Sequence, residues 1–297
     1  MSKHLFGLSL IRTRELTPIV NTLRKMCILF LHNGSKDLDS DYRLVLVSNR
    51  DELYDRPSKD MAPWNEDPGV IGGRDLEAGC DGGTWLALSP LRHKIGVLLN
   101  LPNITRPNAK TRGRLVADFV KSDAPTDEYV DSMKGYASEC NHFVFIAIEL
   151  ACPTIKTYCN ATDKLSSWEE ASLGFSNSYP ETPLKKADAG KMKLKDICTR
   201  LNKVSDKEQL THELIEFLKS KERHLPDPQL KANKPDGVYE KFSSIYVSLP
   251  ELRYGTRTHT VILVTKSGCV DVVEITLQPP IDLDNPKWKR TEMQFTL

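Results

Sequence analysis

Short apolar runs bounded by polar turns mark both ends of the chain, and longer stretches with helical spacing fill its middle. CILFLHN from Cys27 and YRLVLVSNRDE from Tyr42 read as two strands joined by the polar turn GSKDLDSD, a hairpin pattern. TWLALSP and KIGVLLNL predict a second hairpin around LRH. FVFIAIEL and TIKTYC are further strands, and LGFSNS follows a polar connection. HTVILVTKSG and VDVVEITL form a closing hairpin through Ser267-Gly268, preceded by a strand over SIYVSLP. Helical spacing covers RLVADFVKS, Leu184 to Asn202 and Asp206 to Lys221. TDEYVDSMKGYASEC opens with Thr126 and acids in its first turn, an N-terminal helix signal. GVIGGRDLEAGCDGG, NITRPNAKTRG and KERHLPDPQLKANKPDG read as loops. Strands at both ends with helices mostly between them predict an α+β fold, with antiparallel sheets and helices stacked outside. No linker divides the chain after Cys27, so one domain is expected over residues 27–297.

The segment before Met26 has a different character. It carries Lys3, Arg12, Arg14, Arg24 and Lys25 against a single acid, Glu15, with an apolar side from Leu5, Phe6, Leu8, Leu10 and Ile11. Residues 1–26 therefore read as a basic leader, either a mitochondrial transit peptide or the product of an upstream start codon. The leader gives way at Met26-Cys27 to the apolar run Ile28 to Leu31.

Composition narrows the partners. The formal net charge of +1 gives no reason to expect nucleic acid. Seven cysteines without a CxxC pair argue for a reducing compartment rather than a disulfide framework. No apolar run approaches the ~20 residues of a membrane-spanning helix. His32, His93, His142 and His259 have no zinc-site spacing with cysteines, so no metal site is expected.

Cys27 is the first residue that could carry chemistry. Inside a strand it is a small hydrophobe. At a mature N-terminus its own α-amine, titrating near ~7.7–8.0, would serve as base to its thiol. SNRDE, Ser48 to Glu52, ends a strand in polar residues. Arg50 could lower the Cys27 pKa or bind an anion through its planar fork. Asp51 and Glu52 could orient the amine or Arg50, although a salt-bridged turn has the same composition. Asn100 and Asn177 end apolar or Gly-containing segments; each is a turn residue or an amide donor to an oxyanion. Arg257 and His259 stand at the entry to a strand. Cys152-Pro153 is a dipeptide too short to separate from chance, and IGGRD lacks the strand–helix setting of a dinucleotide fingerprint.

MCILF, LVLVSNRDE, GGRDLEAGCDGGTWLAL, GVLLNL, GFSNS, TPLKK and YGTRTHTVILV occur in the order found in the NRDE family, which the chain resembles from Met26 to about Thr276. The resemblance implies an Ntn-hydrolase-like, four-layer αββα sandwich. It matches Cys27 to a nucleophile, Asn100 and Asn177 to oxyanion and amine-orienting asparagines, and Arg257 to a late arginine near the nucleophile. SNRDE falls where cysteine Ntn amidases carry Arg-Asn-x-Asp, with Asn49 and Arg50 in reversed order. The family further implies a haem-handling factor that mobilises haem from organelles of synthesis or storage, with a part in lipid homeostasis and Golgi organisation. That is the first expectation here. An N-terminal-cysteine amidohydrolase acting on an acyl amide or lipid-like substrate is the second, and an interaction protein of the secretory pathway the third. No cofactor is required; haem or an acyl-lipid-like molecule is the expected cargo, with Asn49, Arg50, Asp51, Glu52, Arg257 and His259 as candidate binding residues. Cytoplasm, mitochondrion and Golgi are the expected locations, with at most peripheral contact with organelle membranes.

Overall fold

ILFLH forms β1 (Ile28–His32), and all five of its side chains are buried. Successive strand residues point to opposite faces, so a strand buried throughout must be covered on both sides. Leu29 and Leu31 enter one apolar cluster, Ile28 and Phe30 another. The computed structural model describes residues 26–80, 82–102, 105–235 and 237–297. Of the leader expected over residues 1–26, all but Met26 lies outside the described residues.

Two antiparallel sheets are stacked. In the first, β10 (Ser172–Ser176) pairs with β1, followed by β2 (Tyr42–Leu53), β12 (Tyr254–Thr265), β13 (Cys269–Leu277) and β14 (Trp288–Thr296). The short β11 (Ser248–Leu249) adds to β12. The second sheet is a meander of β3 (Ser58–Trp64), β4 (Asp67–Asp75), β5 (Leu86–Ser89), β6 (Lys94–Asn100), β7 (Phe143–Glu149), β8 (Thr154–Cys159) and β9 (Lys164–Trp168). Leu44, Leu46, Ile262 and Val264 of the first sheet meet Leu86, Ile95, Val97 and Ile146 of the second in the central core.

Helices close both outer faces. α1 (Gly113–Lys121) and α2 (Thr126–Ser138) lay Val116, Phe119, Val130 and Met133 on Phe143 and Phe145 of the second sheet. α3 (Lys185–Arg200) and α4 (Lys207–Leu218) lay Leu194, Ile197 and Leu214 on Ile28, Phe30, Val45 and Val47 of the first. A short α5 (Pro228–Asn233) starts at Asp227, whose side chain accepts from the Gln229 and Leu230 amides. The result is the four-layer αββα sandwich of antiparallel sheets implied by the family resemblance. Among the described residues no helix is long and apolar enough to cross a membrane.

Some elements differ from the expected ones. The Gly-rich stretch is partly the strand β4, because Gly72 packs on Ala87 and Gly73 lies under the Trp85 ring, where a Cβ would collide. These glycines permit close approach within a sheet rather than mark a loop. SIYVSLP contributes only Ser248 and Leu249 to a strand; Ile245 and Val247 are buried by loop packing instead of a ladder. β3, β9 and β14 have no clear sequence signal. β3 and β9 end the second sheet and β14 ends the first, with several exposed positions in each, so their pairing comes from the neighbouring strand rather than from an apolar pattern.

Gly190 of α3 gives a test of the helix–sheet contact. A Cβ there would fall inside the van der Waals radius of the Phe30 ring, itself fully buried. Alanine gains up to about 1 kcal/mol of helix propensity over glycine, but overpacking a filled core costs about 1–3 kcal/mol. Gly190→Ala should lower the stability measured by urea unfolding; an unchanged midpoint would mean that α3 can lift from β1 without cost.

Candidate active site

Strand alternation divides SNRDE between two environments. Arg50 and Glu52 point to the face between the sheets and line a cavity of about 290 Å³. Asn49 and Asp51 point to the helical layer: Asn49 donates to the Leu218 and Ile245 carbonyls at 2.8 and 3.1 Å. Asp51 accepts from the Thr256 hydroxyl at 2.6 Å. One polar stretch thus supplies a cleft wall and a buried support beneath it.

Cys27 sits at the edge of this cavity, one residue before β1 begins. Its backbone N–H lies outside the ladder and donates to Asn177 Oδ1 at 2.5 Å. Asn177 Nδ2 in turn donates to the Asn100 carbonyl at 2.5 Å, so this one amide ties the first sheet to the second. The Asn100 side chain also lines the cavity, and its buried Oδ1 has no hydrogen-bond partner among the described residues. The Cys27 thiol is pushed up to about 12, first by burial and next by the Asp51 charge; Arg50 pulls weakly the other way. With residue 26 attached, the Cys27 nitrogen is an amide and supplies no α-amine base to the thiol.

Beneath Cys27 the charges are buried. Burial raises the Asp51 carboxyl to about 7 against the opposing pull of Lys186. Lys186 is itself fully buried, donates to the Ser244 carbonyl at 3.1 Å, and is pushed down by desolvation. Tyr254 Oη accepts from the Met26 amide at 2.6 Å and donates to the Asp51 carbonyl at 3.3 Å.

On the cavity side the Arg50 guanidinium lies 4.0 Å above the Trp85 ring and donates to Ser58 Oγ at 3.2 Å. Glu52 is 3.9 Å from Arg50 and 3.5 Å from Arg56, and Arg56 makes a two-pronged contact to Asp75 at 2.7 and 3.1 Å. Arg112 and Cys80 complete this polar wall.

The structure brings together Cys27, Arg50, Glu52 and Asn100 at the cavity, with Asp51 and Asn177 directly behind Cys27. A β-bulge between Thr256 and Thr258 re-aims Arg257. Its guanidinium donates to the Leu53 and Arg56 carbonyls at 3.0 and 2.5 Å, and burial lowers its pKa to about 10. Arg257 thus holds the chain leaving β2 rather than lining the cavity. Asn49 and His259 are not in the cleft. His259 is sealed on the outer face between Tyr246 and Trp288, with Nδ1 2.7 Å from Asn49 Oδ1. Cys152 and Pro153 line a separate cavity of about 600 Å³ beside Asn33, at the opposite end of β1. Among the described residues no cluster of three or more His, Cys, Asp or Glu side chains is placed to hold a metal.

Sequence reasoning missed Arg56, Asp75, Trp85, Arg112, Lys186, Tyr254 and Thr256 as site residues. Lys186 and Tyr254 stand within TPLKK and YGTRTHTVILV, yet their orientation depends on partners 58 and 203 residues away in the chain, at Ser244 and Asp51 respectively. Period-2 alternation within SNRDE was the available signal for separating Asn49 and Asp51 from Arg50 and Glu52.

Residues 26–279 match the family model described as Transport and Golgi organisation 2. Transport and Golgi organization protein 2 of Drosophila melanogaster is 32% identical over 281 residues, covering 91% of this chain and 98% of its own. The Transport and Golgi organization 2 homolog of Mus musculus is 32% identical over 281 residues, covering 92% and 99%. Among solved structures, penicillin V acylase from Agrobacterium tumefaciens aligns at a TM-score of 0.43 and 11% identity, over 90% of this chain and 86% of its own.

The sealed imidazole has a pH signature. Burial lowers His259 from 6.5 to about 3. Between those values the unfolded chain binds a proton that the folded ring refuses, so stability is lost as pH falls from about 6.5 toward 3. Asp51, raised to about 7, acts in the opposite sense: its contribution is full in acid and is lost as pH rises through about 7. The melting temperature of His259→Gln should therefore fall less steeply than that of the parent between pH 6.5 and 3. Parallel curves would show that the ring titrates normally.

Proposed function

The chain belongs to the Transport and Golgi organisation 2 family, and within it we propose an N-terminal-cysteine amidohydrolase whose nucleophile is Cys27. The carrying observation is the 2.5 Å bond from the Cys27 nitrogen to Asn177 Oδ1, outside any strand ladder. When Met26 is removed, by cleavage of the leader or by methionine removal after a start at Met26, this nitrogen becomes an α-amine already oriented beside its own thiol. The family match beginning at Met26 supports that boundary.

The neutral amine takes the thiol proton, and the resulting ammonium offsets the burial that holds the thiol up in the uncut chain. Sγ attacks the acyl carbon, and the Asn100 amide stabilises the oxyanion. The ammonium then returns its proton to the leaving amine. Water attacks the thioester with the amine as base and regenerates Cys27. Arg50, Glu52, Arg56 and Asp75 form a charged wall suited to a polar leaving group. We carry over from the relatives' names a role in Golgi organisation, exerted through acyl amides or related lipid-like molecules.

Haem as a carried cargo is the second reading, favoured by Arg50 and Arg56 in the wall, which could meet carboxylates. It ranks below the amidase because the cavity, about 290 Å³ and charged, lies just below the ~300–1,000 Å³ of small-molecule pockets. His259, one of the candidate binding residues for that cargo, is 1% exposed.

Intact-mass measurement of protein from native cells should give a chain starting at Cys27; a fully functional product retaining Met1 would sink the proposal. On a panel of acyl amides, protein starting at Cys27 should turn over, and Cys27→Ala should abolish it. Asn100→Ala should lower kcat by about 10²–10³. Activity should rise with pH through the α-amine pKa of ~7.7–8.0. Haem saturation in the same samples without any turnover would favour the carrier.

A further inference from the structure

We infer that the apolar box filled by Met26, next to Cys27 but outside the charged cavity, is the acyl-side subsite, built for an N-acylated amino acid residue with an unbranched apolar side chain. This rests on the reading of Cys27 as nucleophile. Met26 is only 3% exposed and packs among Leu184, Leu230, Phe242, Val247, Leu249 and Tyr254. Those walls come from the entry to α3, from α5, from the 3-10 turn Tyr239–Ser243, and from β11 and β12. Two ties within these walls do not involve Met26. Asp227 accepts from the Lys185 amide at 2.9 Å and from the Leu230 amide at 3.1 Å, and the Val247 amide donates to Thr256 Oγ1 at 3.0 Å.

Met26 is held as a ligand would be. Its side chain fills the apolar box, and its N–H meets the Tyr254 hydroxyl, whose own proton is directed to the Asp51 carbonyl. Its carbonyl carbon is bonded to the Cys27 nitrogen, in a five-membered relationship to Sγ. An acyl group on Sγ therefore occupies nearly the same place as the methionyl group on nitrogen. Removing Met26 vacates an apolar space with one polar acceptor at its rim. Such a space favours an apolar guest over water, and the hydroxyl oxygen selects a guest bearing an N–H at its α-carbon.

Every strand and helix of the described fold lies after Cys27, so the chain starting there contains all of them, and calorimetry on it tests the box directly. N-acetylmethioninamide should bind at least about tenfold more tightly than N-acetylalaninamide, the discrimination expected from extra buried chain atoms. The β-branched N-acetylvalinamide should bind more weakly than the methionine ligand. Leu249→Trp, which fills the box, should remove the preference; Leu230→Phe is the second filling variant should the first fail to fold, with melting temperature as the check. Full-length protein retaining Met26 should bind none of the three. Equal affinity for the methionine and alanine ligands, or no binding of either, overturns the box. Hydrolysis of acyl amides is read separately. Turnover without discrimination keeps the nucleophile and rejects the box, whereas discrimination without turnover keeps the box as a binding site and rejects the nucleophile.

Discussion

Burial of both faces of the central strands is the constraint on which the rest depends. β1 and β2 must satisfy the sheet below and the helices above, so their apolar residues run without interruption from Ile28 to Leu31 and from Leu44 to Val47. At the end of β2 the apolar side chains stop but the two-sided burial does not. Polar side chains are then enclosed on both faces, and the cleft lies where the sheet interface opens over one of them. The site is thus a consequence of where the core ends.

Enclosing polar groups in this way has an electrostatic cost, concentrated at one place. Among the described residues, the buried side-chain atoms without a hydrogen-bond partner are Tyr42 Oη, at the far end of β2, and four near the site: Asp51 Oδ2, Asn100 Oδ1, Arg257 Nε and Glu274 Oε2. Glu274 accepts from the Met61 amide at 2.7 Å, linking β13 to β3, and burial raises it to about 7 with Arg50 acting against the rise. Most buried polar atoms in proteins are paired, so a cluster of orphans around Cys27 and Arg50 marks a region selected for something besides stability. Asn177 is the opposite case: both ends of its amide are used, and it joins the Cys27 nitrogen to the second sheet. Its place behind the thiol suits orientation of the amine, leaving Asn100 as the amide facing the cavity.

The sequence by itself determined the main strands, the four long helices and the α+β class, because those depend on local periodicity and on apolar runs of the right length. It also determined which residue types cluster at strand ends, and so brought Cys27, Arg50, Glu52 and Asn100 under suspicion. Tertiary structure alone decided their grouping. The β-bulge at Arg257 turned that side chain toward the chain leaving β2, and the ladder placed His259 on the outer face beside Asn49. Both follow from pairing with β2, a strand some two hundred residues earlier in the chain. Tertiary structure also revealed Lys186 and Tyr254 beneath Cys27 and gave Met26 its apolar enclosure. A residue's own neighbours fix its periodicity, whereas its partner across a sheet or under a helix is chosen by global packing, which no local pattern encodes.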